Sequence, residues 1–246
     1  MVELLLDKGA HLEAGNKWGD TALRLAIPNN QKDVVELLVS KGADINAKFG
    51  DDYTPLFYAT GRSVRKDIAE FLIAKGADVN VRSVCGSVPL HRAISYGNGD
   101  VAKVLIDKGA DLNVKDERGQ TPLHIAAMRQ RMRTDLVQLL IDGHANVNLK
   151  DYSGMTALHY AANLGQKVKA ELLIANGAEL NVQNIVGVTP LQLVAARGHR
   201  DLTELFITHG AEVNTKNGRG ETALSLAKEK RHEQVVELLR RHGAEE

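Results

Sequence analysis

Three histidines, His91, His124 and His159, are the residues of this chain whose type and spacing most invite a chemical reading. Imidazole is the commonest protein ligand for transition metals, and a zinc site needs three or four such groups at about 2 Å from one ion. Here each histidine sits in the same local setting, VPLHRAI, TPLHIAA or TALHYAA, at steps of 33 and 35 residues. Equivalent positions in successive structural units lie about 10 Å apart when helices stack, too far for one metal to bridge adjacent layers. A structural role follows for these histidines, and no metal or other cofactor is expected. The segment Gly218-Arg219-Gly220-Glu221-Thr222-Ala223 matches the dinucleotide pattern G-x-G-x-x-A. It falls in the same periodic frame, however, and no buried apolar strand precedes it. Cys85 is the only cysteine and has no conspicuous base in its own segment, so it reads as an exposed thiol or contact residue rather than a nucleophile. No paired carboxylates, HExxH, CxxC, GxSxG or phosphate loop interrupts the frame. The expectation is a protein without catalysis of its own.

The frame itself is the strongest signal. Helix starts at Thr21, Thr54, Val88, Thr121, Thr156, Thr189 and Thr222 follow one another at 33, 34, 33, 35, 33 and 33 residues. Each lies 11 residues beyond the alanine of a Gly-Ala-type turn, from Ala10 to Ala211. A period near 33 across a whole chain marks a stacked repeat architecture. Within residues 116–150, Thr121 can cap a helix with its hydroxyl and Pro122 occupies the first helical position, where its missing N–H costs nothing. Leu123, Ala126 and Ala127 form one apolar stripe, and Leu136, Leu139 and Leu140 form a second on the next helix. Helices this short are unstable alone in water, so neighbours must supply the stability. Glycine closes the second helix at Gly42, Gly76, Gly109, Gly177, Gly210 and Gly243, in the left-handed cap that favours it. Where His144 replaces it, the cap is expected to shift to Gly143.

These motifs, TPLHIAA, TALHYAA, VPLHRAI, TPLFYAT and TPLQLVA together with GADINAK, GADVNVR, GADLNVK and GAEVNTK, resemble the ankyrin-repeat family over essentially the whole chain. The resemblance implies an all-α solenoid of stacked helix-turn-helix units with protruding β-hairpin-like fingers. It divides the chain into one domain, 1–246, with a half repeat at 1–15 and full repeats at about 16–48, 49–82, 83–115, 116–150, 151–183, 184–216 and 217–246. It also implies that the motif histidine and preceding threonine hydrogen-bond the connector. That network should weaken where Arg24, Phe57, Gln192 and Ser225 replace histidine. In function, the resemblance implies a protein-interaction scaffold that binds a partner protein or peptide on the concave face of fingers and first helices. The alternative is the recognition segment of a larger enzyme, channel or effector, an option kept open by a start inside a helix, at MVELLLDKG.

The framework residues being explained, function is sought on the surface. Finger tips place Trp18, Asp20, Asp51, Tyr53, Cys85, Arg118, Gln120, Tyr152, Met155, Ile185 and Val186, and aromatic residues and Met are the types enriched in interface cores. On the first helices Arg62, Tyr96, Met128, Arg129, Leu164 and Arg197 would continue that surface. The extra residues of the two longer repeats fall in helix–helix turns, at 62–65 and 129–133, since insertion within a helix would rotate its stripe off the core. Near these turns a basic edge runs through Arg65, Lys66, Arg131, Arg133, Lys167, Lys169 and Arg200. It serves either the negative C-terminal ends of the first helices or an acidic or phosphorylated partner. The 31 basic and 31 acidic residues cancel, so no global field recruits nucleic acid. No stretch approaches the roughly 20 apolar residues of a membrane helix, and the N-terminus has no leader pattern. A lone cysteine and no Asn-x-Ser/Thr acceptor favour an intracellular, cytoplasmic setting, with a nuclear protein or a secreted effector as the alternatives and a monomeric chain as the expected form.

Overall fold

The computed structural model describes residues 2–129 and 134–245. Among them are fifteen helices and no strand beyond an isolated bridge between Phe49 and Tyr53. Two compact units divide the chain, Met1–Glu117 and Arg118–Glu246. The first holds α1 (Val2–Asp7), α2 (Ala22–Ala26), α3 (Lys32–Ser40), α4 (Pro55–Ala59), α5 (Lys66–Ala74), α6 (Pro89–Tyr96) and α7 (Gly99–Asp107). The second holds α8 (Pro122–Met128), α9 (Thr134–Asp142), α10 (Ala157–Asn163), α11 (Lys167–Ala175), α12 (Pro190–Arg197), α13 (Arg200–Thr208), α14 (Ala223–Glu229) and α15 (Glu233–Arg241). From α2 onward the helices alternate between a short first helix of 5 to 8 residues and a second of 9.

Each first helix starts where the sequence places it. The residue before it, from Thr21 to Thr222, is extended with ψ between 161 and 169°. Proline takes the first position of α4, α6, α8 and α12. The leucine two residues past each start, Leu23, Leu56, Leu90, Leu123, Leu158, Leu191 and Leu224, is almost wholly buried, as are alanines one turn on, such as Ala59, Ala93, Ala126 and Ala161. Small alanines let successive first helices pack closely within each unit, and Ile68, Leu72, Val101, Leu105, Leu173 and Phe206 fill the layer of second helices. One long turn falls as expected, residues 60–65 separating α4 from α5; the other, expected at 129–133, lies outside the described residues except for Arg129. Arg131 and Arg133 lie outside the described residues.

The repeats of each unit are joined by polar bridges as well as by apolar contact. Asn46 Nδ2 donates to the Gly76 carbonyl at 3.3 Å while its Oδ1 accepts the Asp78 N–H at 3.2 Å. Asn80 makes the same pair of bonds to Gly109 and Asp111, Asn148 to Gly177 and Glu179, and Asn214 to Gly243 and Glu245. One amide therefore fixes the following Gly-Ala turn from both sides, which explains why the turn and connector keep constant length.

The cap at His144 departs from the sequence expectation. His144 itself takes the left-handed conformation, at φ 67°, and Gly143 does not. The equivalent glycines Gly42, Gly76, Gly109, Gly177, Gly210 and Gly243 lie at φ between 81 and 99°. The reason is register: the Ala145 N–H must bond the Leu140 carbonyl, at 3.0 Å, as Ala43 bonds Leu38 and Ala77 bonds Leu72. Shifting the cap by one residue would break that bond and displace the connector. A non-glycine residue in this region carries a conformational cost. His144→Gly should therefore stabilise the protein by about 0.5–1 kcal/mol, seen as a higher urea midpoint with unchanged slope. An unchanged or lower midpoint would contradict the assignment.

Candidate partner-binding surface

The surface rests on a capping network at the start of each first helix. His124 Nδ1 accepts the Thr121 N–H at 3.1 Å and the Thr121 hydroxyl at 2.8 Å, while Nε2 lies 3.0 Å from the Met155 carbonyl of the next finger. His159 repeats this with Thr156 and the Val188 carbonyl. Two donors at Nδ1 and a carbonyl at Nε2 require the neutral imidazole with its proton on Nε2. Burial depresses the His159 pKa to about 4, against the opposing pull of the Val188 carbonyl. His91 Nδ1 accepts the Val88 N–H at 3.2 Å. Thr121 and Thr156 thus cap through the imidazole of the third helical residue.

Replacing the histidine has unequal consequences. Gln192, expected to weaken the network, instead reproduces it: Oε1 accepts the Thr189 N–H at 2.9 Å, and Nε2 donates to the carbonyls of Thr215 and Glu221 at 2.8 and 2.9 Å. A primary amide carries the acceptor and donors the neutral imidazole supplies. Ser225 reaches only locally, to Thr222. Phe57 supplies neither, and the Thr54 hydroxyl is buried without a hydrogen-bond partner.

The fingers are tight turns. Asp151 N–H donates to the Met155 carbonyl at 2.9 Å and Asn184 N–H to Val188 at 3.1 Å, too short a pairing to make strands. Successive fingers within a unit are stitched by one backbone bond each: Val84 to Asp51 at 3.0 Å, Glu117 to Cys85 at 2.9 Å, Tyr152 to Arg118 at 3.1 Å, Ile185 to Ser153 at 3.1 Å and Gly218 to Val186 at 2.9 Å. Close approach requires glycine at the turn. A Cβ on Gly154 would sit 2.8 Å from the Ile185 nitrogen, and one on Gly187 only 2.6 Å from that of Gly218. With backbone bonds holding the fingers, tip side chains have no scaffolding duty. Trp18, Val84, Tyr152, Ile185 and Val186 are between 57 and 74% exposed. Asp51 and Arg118 are exposed and Cys85 half-buried, its Sγ 3.9 Å from the Ser83 hydroxyl.

Other sequence candidates are committed inside the fold. Asp20 is ion-paired with Arg24. Gln120 donates to the Tyr160 hydroxyl at 3.2 Å, which itself donates to Asp151 Oδ2 at 2.5 Å; burial and this carboxylate push the Tyr160 pKa up to about 12. Met155 Sδ receives Asn184 Nδ2 at 3.4 Å. Tyr96, Met128 and Arg197 end their helices and Arg129 and Leu164 cap them, all exposed or half-buried at the far end of the first helices. Arg62 is exposed but lies in the turn beyond α4, because that helix stops at Ala59, so it does not sit on a first helix as expected.

The residues missed by sequence reasoning stand four after each start: Tyr58, Arg92, Tyr160, Leu193 and Leu226. They follow the histidine position and face the fingers, one helical turn before the positions chosen from sequence. In the first unit Arg92 lies over Tyr53, Tyr96 and Tyr58 at 4.5, 5.1 and 5.6 Å from the ring centroids, and Arg24 over Tyr58 at 4.6 Å. Tyr53 stacks on Phe57 at 4.8 Å. In the second unit Val186, Val188, Leu193, Ala196 and Leu226 line a groove of about 460 Å³ beside Arg219 and Glu221. The signal was present in the sequence as the outward residue of each start motif.

The basic edge resolves differently. Lys169 is 2% exposed, and its ammonium donates to the carbonyls of Ala126, at 2.8 Å, and Arg129 at the end of α8. Burial, with Arg129 adding to it, lowers its pKa to about 8. That is a helix C-terminal cap. Arg65, Lys66, Lys167 and Arg200 instead lie at the positive N-terminal ends of second helices, where they do not serve the helix dipole. Arg65 pairs with Asp67, Lys167 with Glu171, and Arg200 with Asp201 and Glu204.

The family model for ankyrin repeats (3 copies) matches residues 1–49, 46–116, 90–184 and 169–246. The chain belongs to the ankyrin-repeat family, whose repeats are in general protein–protein interaction modules and typically not catalytic. No curated protein matches the sequence. Among the described residues no helix is long and apolar enough to cross a membrane.

A pH dependence follows from His159. Its folded pKa, about 4, lies below the unfolded 6.5, so the unfolded chain binds more protons between these values. Stability is therefore intact above about pH 6.5 and falls, by up to about 1.4 kcal/mol per pH unit for this group, as pH drops toward 4. His159→Gln, which borrows the Gln192 solution, should hold the urea midpoint at pH 7 and flatten its fall between pH 6.5 and 4.5. His159→Ala should lose about 2 kcal/mol at pH 7. A Gln variant as unstable as the Ala variant would refute the shared donor and acceptor logic.

Proposed function

We propose that this chain is a protein-interaction scaffold without catalysis of its own, binding a partner protein or peptide on the surface made by its fingers and first helices. The observation that carries the reading is the exposure of Tyr152, Ile185 and Val186 at finger tips whose backbone is already fixed by finger-to-finger bonds, and of Trp18 on a finger whose turn is closed by its own Asn16 bonds. Large apolar side chains held out on a rigid frame cost little conformational entropy on binding, and aromatic anchors of this kind dominate interface energetics. Each unit supplies its own such surface: Trp18, Tyr53 and Tyr96 with α2, α4 and α6 in the first, Tyr152, Ile185 and Val186 with α10, α12 and α14 in the second. Asp51, Cys85, Arg118 and Arg197 border these surfaces, as does Arg62 from the turn beyond α4, and the cations Arg65, Lys66, Lys167 and Arg200 lie outside them.

The test compares partners captured by the wild-type chain with those captured by a Trp18→Ala, Tyr152→Ala, Ile185→Ala variant. Each truncation should weaken a partner seated on that unit's fingers by about 1–2 kcal/mol and change folding stability by no more than about 0.5 kcal/mol. The same partners captured with equal affinity by the variant would sink the reading.

A further inference from the structure

Arg92 is set apart by what it lacks. Its guanidinium lies over three phenol rings, yet has no hydrogen-bond or ion-pair partner among the described residues. Nε is buried and unpaired, while the terminal nitrogens reach solvent. Arg24, which rests on the same Tyr58 ring, has its charge met by Asp20. The three hydroxyls around Arg92 are equally without protein acceptors among the described residues: Tyr53, Tyr58 and Tyr96 lie at its flanks and differ from Tyr160, which is bound to Asp151. The cluster therefore offers a planar fork of N–H donors and three phenolic O–H donors, with the exposed carboxylate of Asp51 two residues before Tyr53 in sequence.

Such a group favours an acceptor-rich anion. The aromatic faces hold the guanidinium cation in place, and a fixed fork matches a carboxylate through two parallel bonds. Half-burial raises the value of that pairing over one made in open water. We propose that the Arg92, Tyr53, Tyr58, Tyr96 cluster is the receptor for a carboxylate side chain of an acidic peptide segment, bound bidentately by Arg92. The proposal rests on the interaction surface described above and specifies its partner chemistry in the first unit.

The test uses the full chain with fluorescein-labelled hexaglutamate, and hexaglutamine as the neutral counterpart, read by anisotropy. Hexaglutamate should bind and hexaglutamine should not. Arg92→Ala should weaken hexaglutamate by about tenfold or more. Arg92→Lys should recover only part of that loss, because an ammonium keeps the charge without the fork. Lys17→Ala, which removes an exposed cation resting on Trp18 in the same unit, should stay within about twofold. Circular dichroism melts of each variant separate binding from folding, and the Arg92 Nε–H resonance should shift on adding hexaglutamate to the wild type. Equal binding of hexaglutamine, or equal losses from Arg92→Ala and Lys17→Ala, would overturn the proposal. A hexapeptide with central phosphoserine that binds more tightly than hexaglutamate in an Arg92-dependent way would overturn the choice of carboxylate. Finger-dependent partner capture alongside absent hexaglutamate binding would defeat this inference alone and leave the scaffold reading standing.

Discussion

A helix of five to nine residues does not hold its shape alone in water, since the bonds it closes fail to offset the order it demands. The helices of this chain from α2 to α15 are that short, so each depends on neighbours that reach it in register. Apolar contact supplies the driving force but is indifferent to small sliding. Register comes from the polar bridges, in which Asn46, Asn80, Asn148 and Asn214 hold the turn about 30 residues on, and from His124, His159 and Gln192, which tie a helix start to the next finger. Buried groups of this kind are costly when unmade, which makes the alternative registers unfavourable. The strained conformation of His144 shows the strength of the constraint: the backbone accepts an unfavourable φ before the connector moves.

The same division of labour leaves the surface free. Once finger-to-finger bonds run through backbone N–H and carbonyl groups, tip side chains are released from structure, and neighbouring repeats carry Trp18, Val84, Glu117, Tyr152 and Ile185 at related places. The finger turns are closed by one side chain each, Asn16, Asp151, Asn184 and Asn217 accepting the N–H groups two and four residues on, and Asp151 also takes the Tyr160 hydroxyl. The first helices behave alike: their leucine and alanine faces are spent on the core, and the residue after the histidine position faces outward.

Much of this was legible before any coordinates. Repeat starts, proline positions, the cap glycines and the long turn between α4 and α5 follow from spacing, because each has a strict local requirement. What escaped depends on contacts distant in sequence. The equivalence of Gln192 to histidine needs the two carbonyls that its amide reaches, and Lys169 reads as a surface cation until α8 is seen to end above it. The site was half legible: exposed apolar tips announce themselves as misfits in polar turns, whereas Tyr58 and Arg92 sit in motif positions that periodicity alone assigns to the scaffold. Helix length also misled at Arg62, since α4 ends a turn earlier than α6.

The second repeat shows how scaffold and surface compete. Phe57 stands where histidine would tie the helix start, and the Thr54 hydroxyl is left buried and unpaired, a loss of about 1–3 kcal/mol. In exchange Phe57 stacks on Tyr53 and supports the ring on which Arg92 lies. Phe49 and Tyr58 add edge contacts to the same group, at 6.2 Å between centroids. A chain that breaks its own framework rule tends to do so at a working site, where the compensation lies outside stability. That this exception falls beneath Arg92, whose Nε is buried without a partner, is the reason to treat the aromatic patch as more than packing.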